Sequence, residues 1–250
     1  ILEINNLSKY FGGLAAVSEC SLKVKKGTIT GIIGPNGSGK TTLFNLIAGN
    51  LKSSAGSVIF NNENITDVPS YELFSKGLLR TFQIAHEFTN LSVLENLMMV
   101  PGNQSGEKLV NALLKPSLVA KEESQIKEKA MEVINFLNLS YLKNELAGNL
   151  SGGQKKLLEL GRTMMVDAKL VLLDEVGAGV NRTLLKDLGT AIEKLNKEKG
   201  YTFCMIEHDM DFIGRLCDPV IVMAEGSVLF EGSVEDAKKD EKVIESYLGR

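Results

Sequence analysis

One short stretch constrains the fold of this chain more than any other. Residues 34–41 read Gly-Pro-Asn-Gly-Ser-Gly-Lys-Thr and fit the pattern G-x-x-x-x-G-K-[ST]. An apolar run typical of a strand, Ile29–Ile33, precedes the pattern, and a helical segment, Thr42–Ala48, follows it. Glycines let successive backbone N–H groups converge on an anion, and the start of a helix adds its dipole. The sequence therefore predicts a phosphate-binding loop between a strand and a helix.

This loop supplies the first group of candidate nucleotide-binding residues. Lys40 is placed to neutralise β- and γ-phosphate oxygens, and the Thr41 hydroxyl is placed to hold Mg²⁺. The candidates are Gly34, Asn36, Gly37, Ser38, Gly39, Lys40, Thr41 and Thr42.

The rest of the chain alternates strand-like and helix-like apolar patterns, which indicates an α/β fold. The predicted strands of the first third, which suggest antiparallel pairing, are Ile1–Asn6, Cys20–Val24, Thr28–Ile33 and Ser57–Phe60. Residues 69–150 are mainly helical in pattern, with a loop predicted over 101–116 and an amphipathic helix over 120–137. Continuous apolar runs at 170–173 and 202–206 predict parallel strands covered on both faces, with a helix at 181–199 between them. We therefore expect a core over 1–83 and 161–233, a helical insertion at 84–160 and a helical cap at 234–250.

A second motif lies where the strand at 170–173 ends in two acids, Asp174 and Glu175. Asp174 is placed to support Mg²⁺, and Glu175 is placed to polarise a water for in-line attack on a γ-phosphate. A third motif, Leu-Ser-Gly-Gly-Gln at 150–154, opens a helix. Ser151 suits an N-cap, and Gly152 and Gly153 leave backbone amides open to an anion.

The composition limits the class of protein. The net charge is −3, which argues against a dedicated nucleic-acid binder, because neutralising phosphates needs a basic surface. The three cysteines, at 20, 204 and 217, match neither a disulfide framework nor a zinc spacing. No apolar run approaches the ~18 residues that a membrane-spanning helix needs. We therefore expect a globular protein outside the nucleic-acid-binding, zinc-binding and membrane-spanning classes.

Four motifs follow one another along the chain. They are the phosphate loop, Leu-Ser-Gly-Gly-Gln, Leu-Val-Leu-Leu-Asp-Glu and the run 206–209 (Ile-Glu-His-Asp). This order is seen in ATP-binding subunits of ABC transporters. The chain resembles that family over essentially its whole length. The resemblance implies a P-loop fold of the ABC ATPase type, with an antiparallel β subdomain and a helical subdomain inserted in the core. ATP and Mg²⁺ are the implied cofactors, and ATP hydrolysis is the implied activity.

The resemblance also assigns roles to further residues. Gln83 looks like the glutamine that contacts Mg²⁺ and the attacking water and couples the site to the membrane partner. His208 looks like the histidine that contacts the γ-phosphate. Phe11 lies where the family stacks an aromatic ring on adenine, although the adjacent Tyr10 is an alternative. The implied metal set is Thr41, Gln83 and Asp174, and the implied catalytic set is Glu175, His208 and Gln83.

In this family Ser151, Gly152, Gly153 and Gln154 would close over the ATP of a second ATPase subunit, so that two subunits enclose two ATP molecules. The further partners implied are transmembrane permease subunits and, indirectly, a solute-binding protein, with no nucleic acid. The implied location is peripheral, on the cytoplasmic face of the cell inner membrane.

The runs at 80–83 (Arg-Thr-Phe-Gln), 91–96 and 243–249 resemble the ATPases of high-affinity branched-chain amino-acid importers. The alternatives are the ATPase of lipopolysaccharide export, a soluble ABC ATPase of DNA repair or translation, and a nucleotide-gated module with little hydrolysis. Two departures from the family pattern motivate the last alternative. Val176 follows Glu175 where proline is usual, and Asn181 stands where aspartate is usual.

Overall fold

The structure is a computed structural model that describes residues 1–81, 87–102, 104–107 and 109–248. Its strands are β1 (Leu2–Phe11), β2 (Leu14–Val24), β3 (Ile29–Ile33), β4 (Ala55–Phe60), β5 (Glu63–Asn64), β6 (Leu78–Arg80), β7 (Leu170–Asp174), β8 (Thr202–Ile206), β9 (Val220–Ala224) and β10 (Ser227–Gly232). Its α-helices are α1 (Lys40–Ile47), α2 (Ser70–Lys76), α3 (Val93–Met98), α4 (Leu109–Leu114), α5 (Pro116–Phe136), α6 (Gly152–Met164), α7 (Arg182–Lys199), α8 (Met210–Leu216), α9 (Val234–Ala237) and α10 (Glu241–Leu248).

The chain forms two compact units. The first unit comprises Ile1–Gln83, Ala168–Ala178 and Ile192–Arg250, and the second comprises Ile84–Asp167 and Gly179–Ala191. The described strands of the first unit form two sheets, with orders β2-β1-β4-β5 and β10-β9-β3-β8-β7-β6. The first sheet is antiparallel, whereas in the second only the pair β9–β10 is antiparallel. The predicted mixed α/β class is confirmed.

The central parallel strands are completely buried. Every residue of β3, β7 and β8 is buried, which confirms the prediction that the strands at 170–173 and 202–206 are covered on both faces. Side chains of both sheets and of α1 meet in one apolar core that includes Ile4, Ile32, Phe44 and Leu172. Since burial of such side chains contributes about 1.5–3 kcal/mol each, this core fixes the strands that carry the motifs.

The carboxyl ends of the parallel strands bring separate parts of the sequence to one edge of the sheet. The phosphate loop follows β3, Glu175 follows β7, and Glu207 and His208 follow β8. The order β3-β8-β7-β6 makes these strand ends neighbours. Ligands of open α/β sheets bind outside this edge, so the topology alone locates the candidate site.

Three predictions need correction. The strand at 28–33 does not continue the antiparallel pattern of the first third, because β3 pairs parallel with β8 and β9. The segment 101–116 is not a loop throughout, since α4 occupies Leu109–Leu114. Its glycines lie only in the first half, and the second half consists mainly of good helix formers. Strand β6 interrupts the stretch predicted to be helical. It pairs with β7 so that Arg80 lies opposite Leu172.

The second unit is helical around a small core of its own. The predicted apolar face of α5 is confirmed, with Ala130, Val133 and Leu137 buried and Ile126 half-buried. A Cβ on Gly161 of α6 would lie 2.8 Å from Leu137 Cδ1, so α6 approaches this face closely. This packing holds the helix that begins directly after Ser151.

Candidate nucleotide-binding site

The phosphate loop passes close to neighbouring backbone, which explains its glycines. A Cβ on Gly34 would lie 2.1 Å from the Met223 carbonyl oxygen, and one on Gly39 would lie 2.3 Å from that of Ala16. Both glycines have positive φ, at +148° and +95°. Glycine fits such positions without strain, whereas a side chain would collide with the neighbouring backbone.

Lys40 is buried inside this loop. Its Nζ donates to the carbonyl oxygens of Gly34 at 2.8 Å and Pro35 at 2.9 Å, and lies 3.4 Å from the Ser38 hydroxyl. Burial lowers the pKa of the Lys40 ammonium, while the charges of Glu175 and Asp174 oppose that shift. The protein thus holds a cation at the helix start, where an anion would bind.

A cavity of about 390 Å³ in the first unit collects most of the predicted residues, and its size suits a small-molecule site. Its lining comprises Phe11, Leu14, Ala15, Ala16, Asn36, Gly37, Ser38, Gly39, Lys40, Thr41, Thr42, Glu175 and His208. Of the two aromatic candidates for adenine stacking, Phe11 lines this cavity and Tyr10 is absent from the lining. The Lys9 ammonium lies 5.2 Å from the centre of the Phe11 ring.

Glu175 and His208 meet at the wall of the cavity. Glu175 Oε1 lies 3.1 Å from His208 Nε2, and both side chains keep some exposure to solvent. Glu175 has a positive φ of 47°, which is uncommon for a residue with a side chain. Its backbone N–H donates to the Ile206 carbonyl at 2.9 Å, so β8 helps to hold this conformation. Such local strain is typical of functional positions.

Asp174 is buried at the end of β7 and makes an ion pair with Arg80, at 2.7 Å between Oδ2 and a guanidinium nitrogen. In the sequence, Arg80 was notable only as the first residue of the run Arg-Thr-Phe-Gln at 80–83. The contact joins residues 94 positions apart through the pairing of β6 with β7. This contact could have been expected from the sequence only if residues 78–80 had been predicted to form a strand.

Glu207 is a second residue that sequence reasoning did not single out. Its buried carboxylate accepts from the backbone N–H of Gly177 at 2.7 Å and from that of His208 at 3.3 Å. Burial raises the pKa of Glu207, although these two hydrogen bonds oppose the shift. Glu207 therefore ties the turn after Glu175 to the backbone of His208.

Tyr247 of α10 reaches the phosphate loop from the end of the described chain. Burial raises the pKa of Tyr247, and a hydrogen bond with the backbone of Gly34 opposes that shift. Nothing in the sequence pattern indicated this contact.

Ser151 begins α6 in the second unit. The Gln154 N–H donates to the Ser151 hydroxyl at 3.4 Å, and Ser151 N–H donates to Gln154 Oε1 at 2.8 Å. This capping box confirms the predicted N-cap and fixes the first turn. A Cβ on Gly153 would lie 2.5 Å from Leu184 Cδ1, whereas Gly152 is exposed.

The two departures from the family pattern have local explanations. Val176 is buried in the apolar core, where a valine packs well. Asn181 Oδ1 accepts a hydrogen bond from the Leu184 N–H at 2.9 Å, so this side chain caps the start of α7. The remaining predicted site residue, Gln83, lies outside the described residues.

The donor set fits magnesium. The candidate ligands are the Thr41 hydroxyl beside the phosphate loop and the Asp174 carboxylate, both of them hard oxygen donors. Mg²⁺ prefers such oxygens and is commonly held by one or two carboxylates together with substrate phosphates.

Comparisons with known proteins agree with this arrangement. Residues 17–178 match the family described as ABC transporter. The probable branched-chain amino acid transport ATP-binding protein LivG of Archaeoglobus fulgidus is 44% identical and aligns with 100% of this chain and 95% of its own length. The high-affinity branched-chain amino acid transport ATP-binding protein BraF of Pseudomonas aeruginosa is 34% identical, over 100% of this chain and 98% of its own length.

Two solved structures extend the likeness to the fold. A nucleotide-free ATP-binding cassette from an ABC transporter is 41% identical, with a TM-score of 0.86 over 100% of this chain and 99% of that one. The ADP conformation of such a cassette is 40% identical, with a TM-score of 0.84 over the same shares.

The phosphate loop, together with acids and a histidine at neighbouring strand ends, defines a P-loop nucleoside triphosphatase. More narrowly, the chain belongs to the ABC transporter family, as an ATP-binding subunit that hydrolyses ATP. Among the described residues, no helix is long and apolar enough to cross a bilayer.

Proposed function

We propose that this chain hydrolyses ATP to power import of branched-chain amino acids, or of related small polar solutes, through separate permease subunits. Full-length likeness to branched-chain amino acid transport ATP-binding proteins supports the transport role. The contact between Glu175 and His208 at the wall of the phosphate-loop cavity supports the enzymatic role.

Nucleotide binding uses the loop as it stands. The triphosphate lies against the backbone N–H groups of residues 36–42, at the start of α1. Lys40 exchanges its bonds with the Gly34 and Pro35 carbonyls for phosphate oxygens. Adenine stacks on the half-exposed ring of Phe11.

Hydrolysis depends on the residues beyond β7 and β8. Glu175 accepts a hydrogen bond from the attacking water and aligns it with the γ-phosphate. His208 contacts the γ-phosphate and, through Nε2, restricts the Glu175 carboxylate. Gln83 is the proposed third member of this group.

Thr41 and Asp174, with Gln83, would hold Mg²⁺. When bound, the metal supplies positive charge to the β- and γ-phosphate oxygens. Lys40 supplies a further positive charge to the bound phosphates.

The proposed partners are two membrane permeases, a second ATP-binding subunit and, indirectly, a solute-binding protein, at the cytoplasmic face of the inner membrane. Ser151, Gly152, Gly153 and Gln154 would bind the ATP held by the second subunit. The exposure of Ser151 and Gly152 at the start of α6 is compatible with that role.

Glu175→Gln tests the enzymatic assignment, because an amide keeps the size of the side chain but is a poor base. We expect ATP turnover to fall by about 10²–10⁴-fold, the usual contribution of a positioned base, while nucleotide affinity stays within about twofold. Glu193→Gln, at a surface ion pair with Arg215, is the matched control and should keep full turnover. Unchanged hydrolysis in folded Glu175→Gln protein would refute the assignment.

Isolation of the tagged chain from gently solubilised native membranes tests the transport assignment. Two dissimilar permeases with a second, different ATP-binding subunit would support an importer of this class. A self-paired subunit with export-type membrane proteins would replace that proposal with the lipopolysaccharide alternative, and absence of any membrane partner would favour a non-transport ATPase.

A further inference from the structure

Arg80 occupies an unusual position for a strongly basic side chain. It lies at the carboxyl end of β6 with only 9% of its side chain exposed, and its partner Asp174 is 4% exposed. The two terminal guanidinium nitrogens bind different elements, since Nη2 donates to Asp174 Oδ2 at 2.7 Å and Nη1 donates to Asn45 Oδ1 at 2.6 Å. One planar group therefore joins the end of β7 to α1.

A third contact of this group is with an aromatic ring. The guanidinium carbon lies 6.0 Å from the centre of the Phe44 ring, and Phe44 is fully buried. Phe44 and Asn45 both belong to α1, the helix that also carries Lys40 and Thr41. The candidate metal ligands Thr41 and Asp174 thus lie on two elements that Arg80 connects.

The arrangement is costly if its purpose is only structural. Arg80 Nε is buried and has no hydrogen-bond partner among the described residues. A buried ion pair is often replaced by apolar side chains of similar volume without loss of stability. A charged group buried here at such a cost indicates a role in the chemistry of Asp174.

We propose that Arg80 is a positioning residue that orients the Asp174 carboxylate for Mg²⁺. It takes one carboxylate oxygen, Oδ2, while no described residue makes a hydrogen bond to Oδ1. Side chains that orient metal ligands typically change metal affinity by about 10–100-fold when they are removed. The inference rests on the proposed ATPase function and adds a residue to its metal site.

The test measures Mg²⁺-dependent binding of a fluorescent ATP analogue, which requires no turnover. For Arg80→Met we expect analogue affinity in the presence of a chelator to stay within about twofold, while the Mg²⁺ concentration for half-maximal effect rises about tenfold. Asp174→Asn should also raise the Mg²⁺ concentration for half-maximal effect. The double variant, Arg80→Met with Asp174→Asn, should raise it no more than the more severe of the two single variants. Arg215→Met, at an ion pair outside the cavity, should leave the Mg²⁺ midpoint unchanged.

A second variant covers the case in which Arg80→Met does not fold. Arg80→Lys keeps the charge, but a single ammonium cannot hold both Asn45 and Asp174, so the Mg²⁺ midpoint should again rise. An unchanged midpoint in a folded Arg80 variant, or shifts that add fully in the double variant, would overturn the proposal. If the unaltered chain does not bind the ATP analogue in a Mg²⁺-dependent way, the proposed function is refuted, and this inference is refuted with it.

Discussion

The phosphate-loop cavity and the start of α6 both present backbone amides to an anion, but they are built in opposite ways. The cavity contains the buried ammonium of Lys40, and the buried ion pair of Asp174 with Arg80 lies at the end of β7. The start of α6 is an exposed capping box in which Ser151 bonds to Gln154. The first therefore includes a buried cation, whereas the described first turn of α6 offers an anion exposed backbone, the Ser151 hydroxyl and the helix dipole.

This difference separates what each region can do unaided. A buried cation at converging amides binds phosphate strongly because the surroundings screen the charge poorly. An exposed helix start contributes about 0.3–1 kcal/mol to a nearby negative charge, which is too little to bind a nucleotide unaided. The proposed role of the start of α6 toward a nucleotide held by a second subunit agrees with this difference.

Loss of the Lys40 charge should give the largest effect. A hydrogen bond to a charged group contributes about 1.5–3 kcal/mol, so Lys40→Met should weaken nucleotide binding by about 10–100-fold and abolish measurable hydrolysis. Equilibrium titration with a fluorescent nucleotide measures the first effect. Lys23→Met, at an exposed ion pair with Glu3, is the control, and equal losses in both variants would contradict a specific role for Lys40.

Ser151→Asp separates the capping role of Ser151 from its proposed role toward phosphate. Aspartate is an equally good N-cap, so the free energy of unfolding should change by less than about 0.5 kcal/mol. Its charge would repel a γ-phosphate, so ATP-dependent pairing of subunits and hydrolysis should be lost.

A second capping box in the same unit provides the control. Ser92→Ala removes the cap of α3, where Ser92 pairs with Glu95, and should cost about 1 kcal/mol of stability with hydrolysis retained. If Ser151→Asp hydrolyses ATP like the unaltered chain in the assembled complex, the phosphate role of Ser151 is wrong.

Glu207→Gln should have a smaller effect, on the pH dependence of stability. Because the folded-state pKa of Glu207 is raised by burial, its contribution is fully present below the unfolded-state pKa and is lost as pH rises through the folded-state pKa. The glutamine side chain can still accept a hydrogen bond from the Gly177 N–H, but it does not titrate. The variant should therefore lose less stability than the unaltered chain between acid and neutral pH. Urea unfolding at a series of pH values across that interval measures the change in the free energy of unfolding with pH, with Glu193→Gln as control. The same dependence on pH in Glu207→Gln and the unaltered chain would contradict the prediction.

The cysteines should show the smallest effect, because the first unit buries all three. Burial raises the pKa of Cys20 to about 11 and that of Cys217 to about 12, and it also raises the pKa of Cys204. Since the thiolate is the reactive form, an aromatic disulfide reagent at neutral pH should modify them slowly in folded protein and completely in urea. Rapid modification of the native chain would show that this packing opens readily.

The local structure could be predicted where the signal was local. The order of strand, loop and helix around the phosphate loop is specified by residues 29–48 alone. The cap at Ser151 and the buried runs of β7 and β8 are equally local, so their burial and bonding follow the predicted pattern.

Prediction from the sequence failed where strand order decides the contact. Arg80 meets Asp174 only because β6 lies beside β7, and Glu207 meets Gly177 only because β8 lies beside β7. A three-residue strand such as β6 has too little periodicity to be seen in the sequence. The parallel pairing of β3 also follows from sheet topology rather than from its own residues.

The most direct test of the account mixes two inactive variants of this chain, Lys40→Met and Ser151→Asp, so that purified copies pair with each other in place of the second, different subunit. If the start of α6 serves the nucleotide of a second subunit, a mixed dimer contains one composite site with an intact Lys40 and an intact Ser151. We expect the mixture to hydrolyse ATP well above the sum of the two separate variants, with mixed dimers verified by native mass spectrometry. Verified mixed dimers with no more activity than that sum would contradict the division of labour between the two regions.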